Sequence, residues 1–172
     1  MEHPAVLRLA RHTDAGAIAQ MARELIEAGL TPRYTAVRIA RHIADADTVA
    51  LVAQTPGAAP QGFALMAFGD DHAHLVLLAV QPAARRQALG RALLQWLLAS
   101  AEVAGMASVA LELRADNDGA QAFYRALGFE ATLLMPGYYE GRVDGQRMVR
   151  MLRAPGAVPS TPWGLRTNNR SP

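Results

Sequence analysis

The chain has 172 residues, 51% hydrophobic and 19% charged, which suits one folded domain with a core large enough to need no covalent staples. All 17 basic residues are Arg, and Lys and Cys are both absent, which excludes disulfides, thiolate metal sites, cysteine nucleophiles, Schiff bases and a phosphate-loop lysine. Arg166 and Arg170 follow Arg153; removing them from the 17 leaves 15 basic against 15 acidic residues, so the body 1–153 is neutral and nucleic acid is not an expected partner.

Residues 5–10 (AVLRLA) read as a first strand. Thr13 or Asp14 can cap a helix running to about Ala28, with Ile18, Met21, Ala22, Leu25 and Ile26 at helical spacing and Gly29 as the stop. Thr35 can cap a second helix through Ile43, with Val37, Ile39 or Ala40, and Ile43 turned inward. Strands are predicted over Thr48–Gln54 and Gly62–Phe68, joined by the turn-rich stretch TPGAAPQ. His74–Val80 is almost wholly apolar, as a strand covered on both faces should be.

Pro82 ends that strand, and the loop AARRQAL leads into a helix over about Gly90–Ala104. Leu93, Trp96, Leu97, Ser100 and Ala104 are its expected inner face. Ser108–Arg114 is a further strand, Asn117 or Asp118 starts a helix to Leu127, and Phe129–Met135 and Gln146–Arg153 are the last two strands. Residues 154–172 turn to Pro, Ser, Thr, Asn and Gly and read as a flexible tail behind the 1–153 domain. The expected fold is α/β: one mixed, mostly antiparallel sheet of six to seven strands with helices on both faces. Met1–Ala10 lacks a basic start followed by an apolar stretch, and no run approaches the ~18 residues of a membrane span. A cytoplasmic protein without a signal peptide or membrane partner is the default expectation.

Two segments carry chemistry. In 77–94 (LLAVQPAARRQALGRALL) a buried strand enters an arginine-rich loop that opens a helix. Free N–H groups at a helix start, with Arg85, Arg86 and Arg91 around them, fit a pyrophosphate. The same spacing also suits an ordinary strand–helix connection with surface arginines. In 111–130 (LELRADNDGAQAFYRALGFE), alternation puts Val109, Leu111 and Leu113 on one face of a strand and Ala110, Glu112 and Arg114 on the other. A carboxylate in an otherwise apolar strand is costly unless paired or useful. Glu112 can serve as a general base, or can pair with Arg114 two residues along. Asn117 is a helix-cap candidate, and Tyr124 by pattern alone is a core tyrosine beside Phe123 and Leu127. His72 and His74 share a face at i, i+2, but no further ligand cluster is visible, so turn or edge histidines are the reading and no metal is expected.

These blocks resemble the GNAT superfamily of acyl-CoA-dependent N-acyltransferases. Its V-x-P strand end is matched by Val80-Gln81-Pro82, and its Q/R-x-x-G-x-G/A loop by Arg85, Arg86, Gln87, Ala88, Leu89 and Gly90. Its second block, an Asn and then a helix ending Y-x-x-L-G-F, is matched by Asn117 and by Tyr124 through Phe129. The likeness covers about 5–153. Within the superfamily the second half is similar to ribosomal-protein-alanine N-acetyltransferases, through Leu111-Glu112-Leu113-Arg114, Asn117, Tyr124 and the pair Tyr138-Tyr139. The region 29–47 does not obviously match them.

The resemblance implies acetyl-CoA as co-substrate and no metal. It implies Glu112 as general base, Tyr124 as general acid, and backbone groups of Leu78, Ala79 and Val80 along the pantetheine arm. The Arg86–Arg91 loop would hold the pyrophosphate, with Asn117 also at the cofactor. Ala88 departs from the signature glycine; if the site requires positive φ there, cofactor affinity should suffer. The implied reaction is direct acetyl transfer to a primary amine, a protein or peptide N-terminus before a small molecule. Tyr138 and Tyr139 would either position a peptide N-terminus or pack on the sheet. Arg142, Asp144 and Arg147 would either bind a charged substrate or sit in a solvated loop. The chain would act as a monomer or homodimer. The alternative is a non-catalytic acyl-CoA-binding sensor or interaction domain.

Overall fold

A computed structural model describes residues 4–153. The predicted tail, 154–172, lies outside the described residues. Seven strands and four helices follow in chain order: β1 (Val6–Leu9), α1 (Ala15–Leu25), α2 (Ala36–Ala44), β2 (Thr48–Gln54), β3 (Gly62–Phe68), β4 (His72–Val80), α3 (Leu89–Val103), β5 (Ser108–Arg114), α4 (Asp118–Ala126), β6 (Glu130–Tyr139) and β7 (Val143–Met151). They form one sheet of order β1-β2-β3-β4-β5-β7-β6. Every neighbouring pair is antiparallel except β4 and β5, which are parallel. That is the mixed, mostly antiparallel sheet expected from the sequence.

Strand alternation splits the core in two. Leu51 and Ala53 of β2 face α3 and α4, while Ala50 and Val52 face α1 and α2. The first layer is filled by Leu93, Leu94 and Leu97 of α3, all without exposure, together with Phe129. The second holds Ile18 and Met21 of α1, Ile39 of α2, and Phe63 and Leu65 of β3. Burying each such side chain contributes about 2 kcal/mol, so both helix pairs are clamped to the sheet.

The apolar run of β4 is buried on both sides, and a bulge arranges it. Leu65 pairs with Leu77 but Met66 pairs with Leu75, which leaves Val76 as an extra residue. Leu75 therefore packs with α3, and Leu77 with α1 and α2. Such bulges commonly re-aim side chains beside functional sites.

Four expectations need correction. α1 ends at Leu25 rather than Ala28, because Glu27 turns in and accepts the backbone N–H of Arg33 at 2.7 Å. On α2 only Ile39 is buried, and Val37 is 63% exposed. The inner stripe of α3 is Leu93, Leu94, Leu97, Leu98 and Ala101; Trp96 is 43% exposed, since the packed face is rotated from the predicted one. Finally, the stretch around Tyr138 and Tyr139 is not a loop. β6 continues to Tyr139, past irregular pairing between Met135 and Tyr139, and Tyr139 pairs with Val143. Glu140 and Gly141 adopt positive φ (54° and 70°) and make the tight turn that closes this hairpin.

Candidate active site

The site begins where the sheet comes apart. β4 and β5 pair only at His72↔Ser108, Ala73↔Val109 and His74↔Ala110. Leu75–Val80 stays paired with β3, and Leu111–Arg114 stays paired with β7, so the two strands part after His74. Edge groups of β4 that face the gap have no strand partner there, and unpaired backbone groups seek one. Two cavities occupy the gap, about 590 Å³ and 280 Å³, and share Leu25, Leu78, Asn117, Ala120 and Tyr124.

The larger cavity runs along β4 to the start of α3. Leu78, Ala79, Val80, Arg85, Arg86, Ala88, Leu89, Gly90 and Arg91 all line it, as does Asn117. Gln87, which the loop motif places among them, does not line it. Arg85 folds back, donating from Nε to the Val80 carbonyl at 3.3 Å. Arg86 and Ala88 both lie in the left-handed region, at φ 65° and 57°. The loop thus uses positive φ at the position where Ala replaces the signature glycine. Ala88 is the N-cap of α3, so the first N–H groups of that helix open toward the arginines. Positive dipole end, free donors and guanidiniums make a seat for a diphosphate. A cavity of this size, lined by β4 on one side and by Arg85, Arg86 and Arg91 at one end, suits acetyl-CoA.

The smaller cavity holds Glu112, Arg114, Tyr124 and Tyr139. Glu112 does not pair with Arg114. Its cross-strand neighbour is Arg147, whose Nε donates to Oε1 at 3.0 Å. Nε2 of His74 lies 2.5 Å from Oε2. Arg114 turns away and donates to the carbonyl of Ala28. The His74 hydrogen bond, reinforced by Arg147, holds the Glu112 carboxyl below the ordinary carboxylate range.

Tyr124 stands on α4 between Phe123 and Phe129, edge to face with both at 5.1 Å and 5.6 Å. It is 9% exposed, lines both cavities, and its hydroxyl has no hydrogen-bond partner among the described residues. Burial raises it well above an ordinary phenol, so it stays protonated. Asn117 Oδ1 accepts the N–H of Ala120 at 3.0 Å and caps α4. Its amide NH2 is left to the cavities it lines. Tyr139 lines the small cavity, and burial pushes it up to about 12. Tyr138 packs against it at 4.9 Å but is 49% exposed and lines neither cavity.

The hairpin and the α1–α2 connection meet over this cavity. Glu140 accepts the N–H of Thr31 at 2.8 Å and pairs with Arg142. Asp144 accepts the N–H of Gly137 at 2.8 Å, and Arg147 is taken up by Glu112. Arg142, Asp144 and Arg147, the candidates for a charged-substrate patch or a solvated loop, thus each have a partner within the chain: Glu140, the Gly137 N–H and Glu112. The sequence places His74 at a turn or edge; the structure puts it in the middle of the sheet at the strand divergence. Its His-x-His spacing gave the shared face, but only the parallel register with β5 brings Glu112 to it.

Comparison with known proteins follows the same lines. The model of the Acetyltransferase (GNAT) family matches residues 17–129. Over 85 residues the chain is 42% identical to the ribosomal protein bS18-alanine N-acetyltransferase of Escherichia coli K12, covering 48% of this chain and 57% of that protein. The match thus spans little more than half the length of the curated relative. The crystal structure of the ribosomal-protein-S18-alanine N-acetyltransferase from Escherichia coli superposes with a TM-score of 0.75 at 28% identity, covering 90% of this chain and 99% of that one. Ard1 from Thermoplasma volcanium superposes with a TM-score of 0.76 at 27% identity, covering 87% and 99%.

Proposed function

The chain belongs to the GNAT family of acetyltransferases, and on that footing we propose that it transfers the acetyl group of acetyl-CoA directly to the amine of a protein or peptide N-terminus. One observation carries this reading: Glu112 and Tyr124 converge on adjoining cavities at the point where β4 and β5 part. The cavity holding Tyr124 and the arginine loop takes the donor, and the cavity holding Glu112 takes the acceptor.

Acetyl-CoA supplies the activated acyl group as a thioester. Arg85, Arg86, Arg91 and the first N–H groups of α3 hold its diphosphate, and the unpaired edge of Leu78–Val80 holds its amide-bearing arm as an added strand would be held. An N–H of that edge near Val80 can polarise the thioester carbonyl. Glu112, kept ionised, takes the proton that the neutral acceptor amine loses as its nitrogen bonds to the thioester carbon, and the sulfur leaves as thiolate. Tyr124 donates its O–H toward the leaving sulfur. A phenol raised by burial does not surrender its proton fully to a thiolate, so this donation acts as a hydrogen bond to developing charge. With no Cys in the chain, a cysteinyl acyl-enzyme is not available and transfer proceeds in a ternary complex.

The acceptor cavity favours a small first residue. It is about 280 Å³ and walled by Leu25, Ile26, Leu111, Leu113 and Tyr139, with Glu112 as the carboxylate. The similarity to bS18-alanine N-acetyltransferases supports a peptide N-terminus over a free small-molecule amine. The test mixes acetyl-CoA with hexapeptides differing in their first residue, with polyamines and with aminoglycosides, and follows CoA release with a thiol reagent. The protein has no thiol of its own, so the assay has no protein background. Turnover is expected first with peptides starting in Ala, Gly or Ser. Acetyl-CoA that raises Tm but yields no CoA with any amine would mark a non-catalytic binder instead.

A further inference from the structure

The stretch between Glu27 and Asp45 contains no acidic residue and carries Arg33, Arg38 and Arg41, all exposed. Among the described residues the arginine ion pairs use Arg8, Arg142, Arg147, Arg150 and Arg153, which leaves these three guanidiniums without a carboxylate. They line one surface cavity of about 510 Å³ along α2, with Asp45 at the C-terminal end of the helix. Arg38 also lies over the Tyr34 ring, 4.7 Å from its centre. Thr35 caps α2 by accepting the N–H of Arg38, so Arg33 and Arg38 stand at the positive end of the helix dipole. Cations there cost helix stability, so local stability does not account for them.

The patch continues from the acceptor cavity. Ala28 lines that cavity, and its carbonyl is held by Arg114. Thr31 is held by Glu140 at the hairpin turn, and the N–H groups of Arg33 and Tyr34 are held by Glu27 at 2.7 and 3.5 Å. Only five residues of chain, at most about 18 Å, separate Ala28 from Arg33. Tyr34 lies between the two regions: burial raises its phenol, Arg38 and Arg33 lower it, and Glu27 and Tyr138 of the hairpin raise it again. The acids along this route are already occupied. Glu27 and Glu140 hold the N–H groups just named, Asp144 holds that of Gly137, and Asp45 accepts that of Asp47 at 2.9 Å.

We propose that Arg33, Arg38 and Arg41 bind carboxylates at about the third to sixth residues of the acceptor, so that the preferred substrate is a peptide N-terminus with a small first residue followed by acidic ones. This rests on acetyl transfer to a peptide N-terminus and specifies the rest of that peptide. An extended chain advances about 3.3 Å per residue, so a peptide whose amine is at Glu112 reaches the patch within its first six or so residues. Guanidiniums and the helix dipole both favour an anion there. The body 1–153 is neutral, so no wider basic field tracks a nucleic-acid backbone, and three charges suit a short acidic segment. The contacts lie far from the reacting atoms and act on binding, so they lower KM more than they raise kcat.

The test gives the full chain acetyl-CoA and hexapeptides that begin Ala-Ser and continue with Glu, Gln or Arg at every later position. The Glu peptide should exceed the Gln peptide roughly tenfold in kcat/KM, as two or three exposed ion pairs provide, with the difference in KM and the Arg peptide poorest. In the triple variant Arg33→Gln, Arg38→Gln, Arg41→Gln the Glu-to-Gln ratio should fall to about one, whereas the triple Lys variant keeps most of it, since the charge remains. The ratio should also shrink as salt rises from about 50 to about 500 mM. A wild-type ratio near one, or a ratio unchanged in the triple Gln variant, overturns the proposal. Anisotropy of labelled, N-acetylated forms of the same peptides reads the patch without turnover. The Glu form should bind most tightly, and only with the arginines in place; equal binding of all three forms overturns the patch. Single-stranded RNA that displaces the Glu form better than unlabelled peptide overturns it in favour of nucleic acid. The two readings fail separately. Absence of turnover with any amine removes the acetyltransferase assignment, whereas turnover without a preference for Glu removes only the acidic-acceptor proposal.

Discussion

Ala88→Gly isolates what the arginine loop needs. Ala88 sits at φ 57° and ψ 16°, left-handed geometry at the N-cap of α3. Holding an alanine there costs about 1–2 kcal/mol, and glycine removes that cost. Glycine also widens the unfolded ensemble, which offsets about 0.4–1 kcal/mol. The net expectation is a gain of about 0.5–1 kcal/mol, or roughly 2 °C in Tm for a domain of this size. Because the loop conformation is unchanged, acetyl-CoA affinity should be preserved or tightened. Gly90→Ala is the counterpart. The Gly90 φ is not positive, and a new Cβ would meet Phe123 and Val80 at 3.6 Å, an ordinary contact. The variant should fold with Tm unchanged or raised, yet the methyl group enters the wall where phosphate must approach backbone N–H, so binding should weaken about tenfold or more. Thermal melts and calorimetry with acetyl-CoA read both effects. A lower Tm for Ala88→Gly, or tenfold weaker binding, would refute the loop geometry as the basis of cofactor recognition.

Two further outcomes are expected. Tyr124→Phe should leave Tm nearly unchanged, since the hydroxyl has no partner among the described residues, while kcat drops roughly 10²-fold; wild-type turnover would remove Tyr124 from the leaving-group role. Asp14 is held below its ordinary value by Arg8, which donates to both carboxylate oxygens at 2.8 and 2.9 Å, and the N–H of Arg11 adds a third donor. The unfolded chain then binds this proton more readily than the folded one, so the stabilisation is fully present above the unfolded value near 3.9 and is lost as pH falls through the lower folded value. Asp14→Asn should flatten the acid limb of a Tm-versus-pH curve, and an acid limb identical to wild type would contradict that assignment.

Much of the fold was legible because local rules governed it. Thr48–Gln54, Gly62–Phe68 and Ser108–Arg114 fall where alternation and flanking turn residues placed them. Thr35 and Asn117 cap their helices by accepting N–H groups three residues on. Helix faces were harder: Trp96 has the hydrophobicity of a core residue, but α3 packs through Leu93, Leu94, Leu97 and Leu98, and nothing local selects between neighbouring stripes. The hairpin beyond Met135 was also hidden, because the irregular pairing that carries β6 on to Tyr139 depends on β7.

The sequence by itself determined the chemical inventory. Without Lys or Cys, anions must be held by guanidiniums and backbone N–H groups, and a cysteinyl acyl-enzyme is excluded. It also placed Glu112, Asn117, Tyr124 and the arginine loop in one order along the chain. Only the tertiary structure decided their partners. Glu112 meets His74 across a parallel ladder and Arg147 across an antiparallel one, 38 and 35 residues away, in place of Arg114 beside it on the strand. Spacing along one strand fixes which residues share a face, whereas the partners on that face are set by strand register, which turns, bulges and packing establish across the whole sheet.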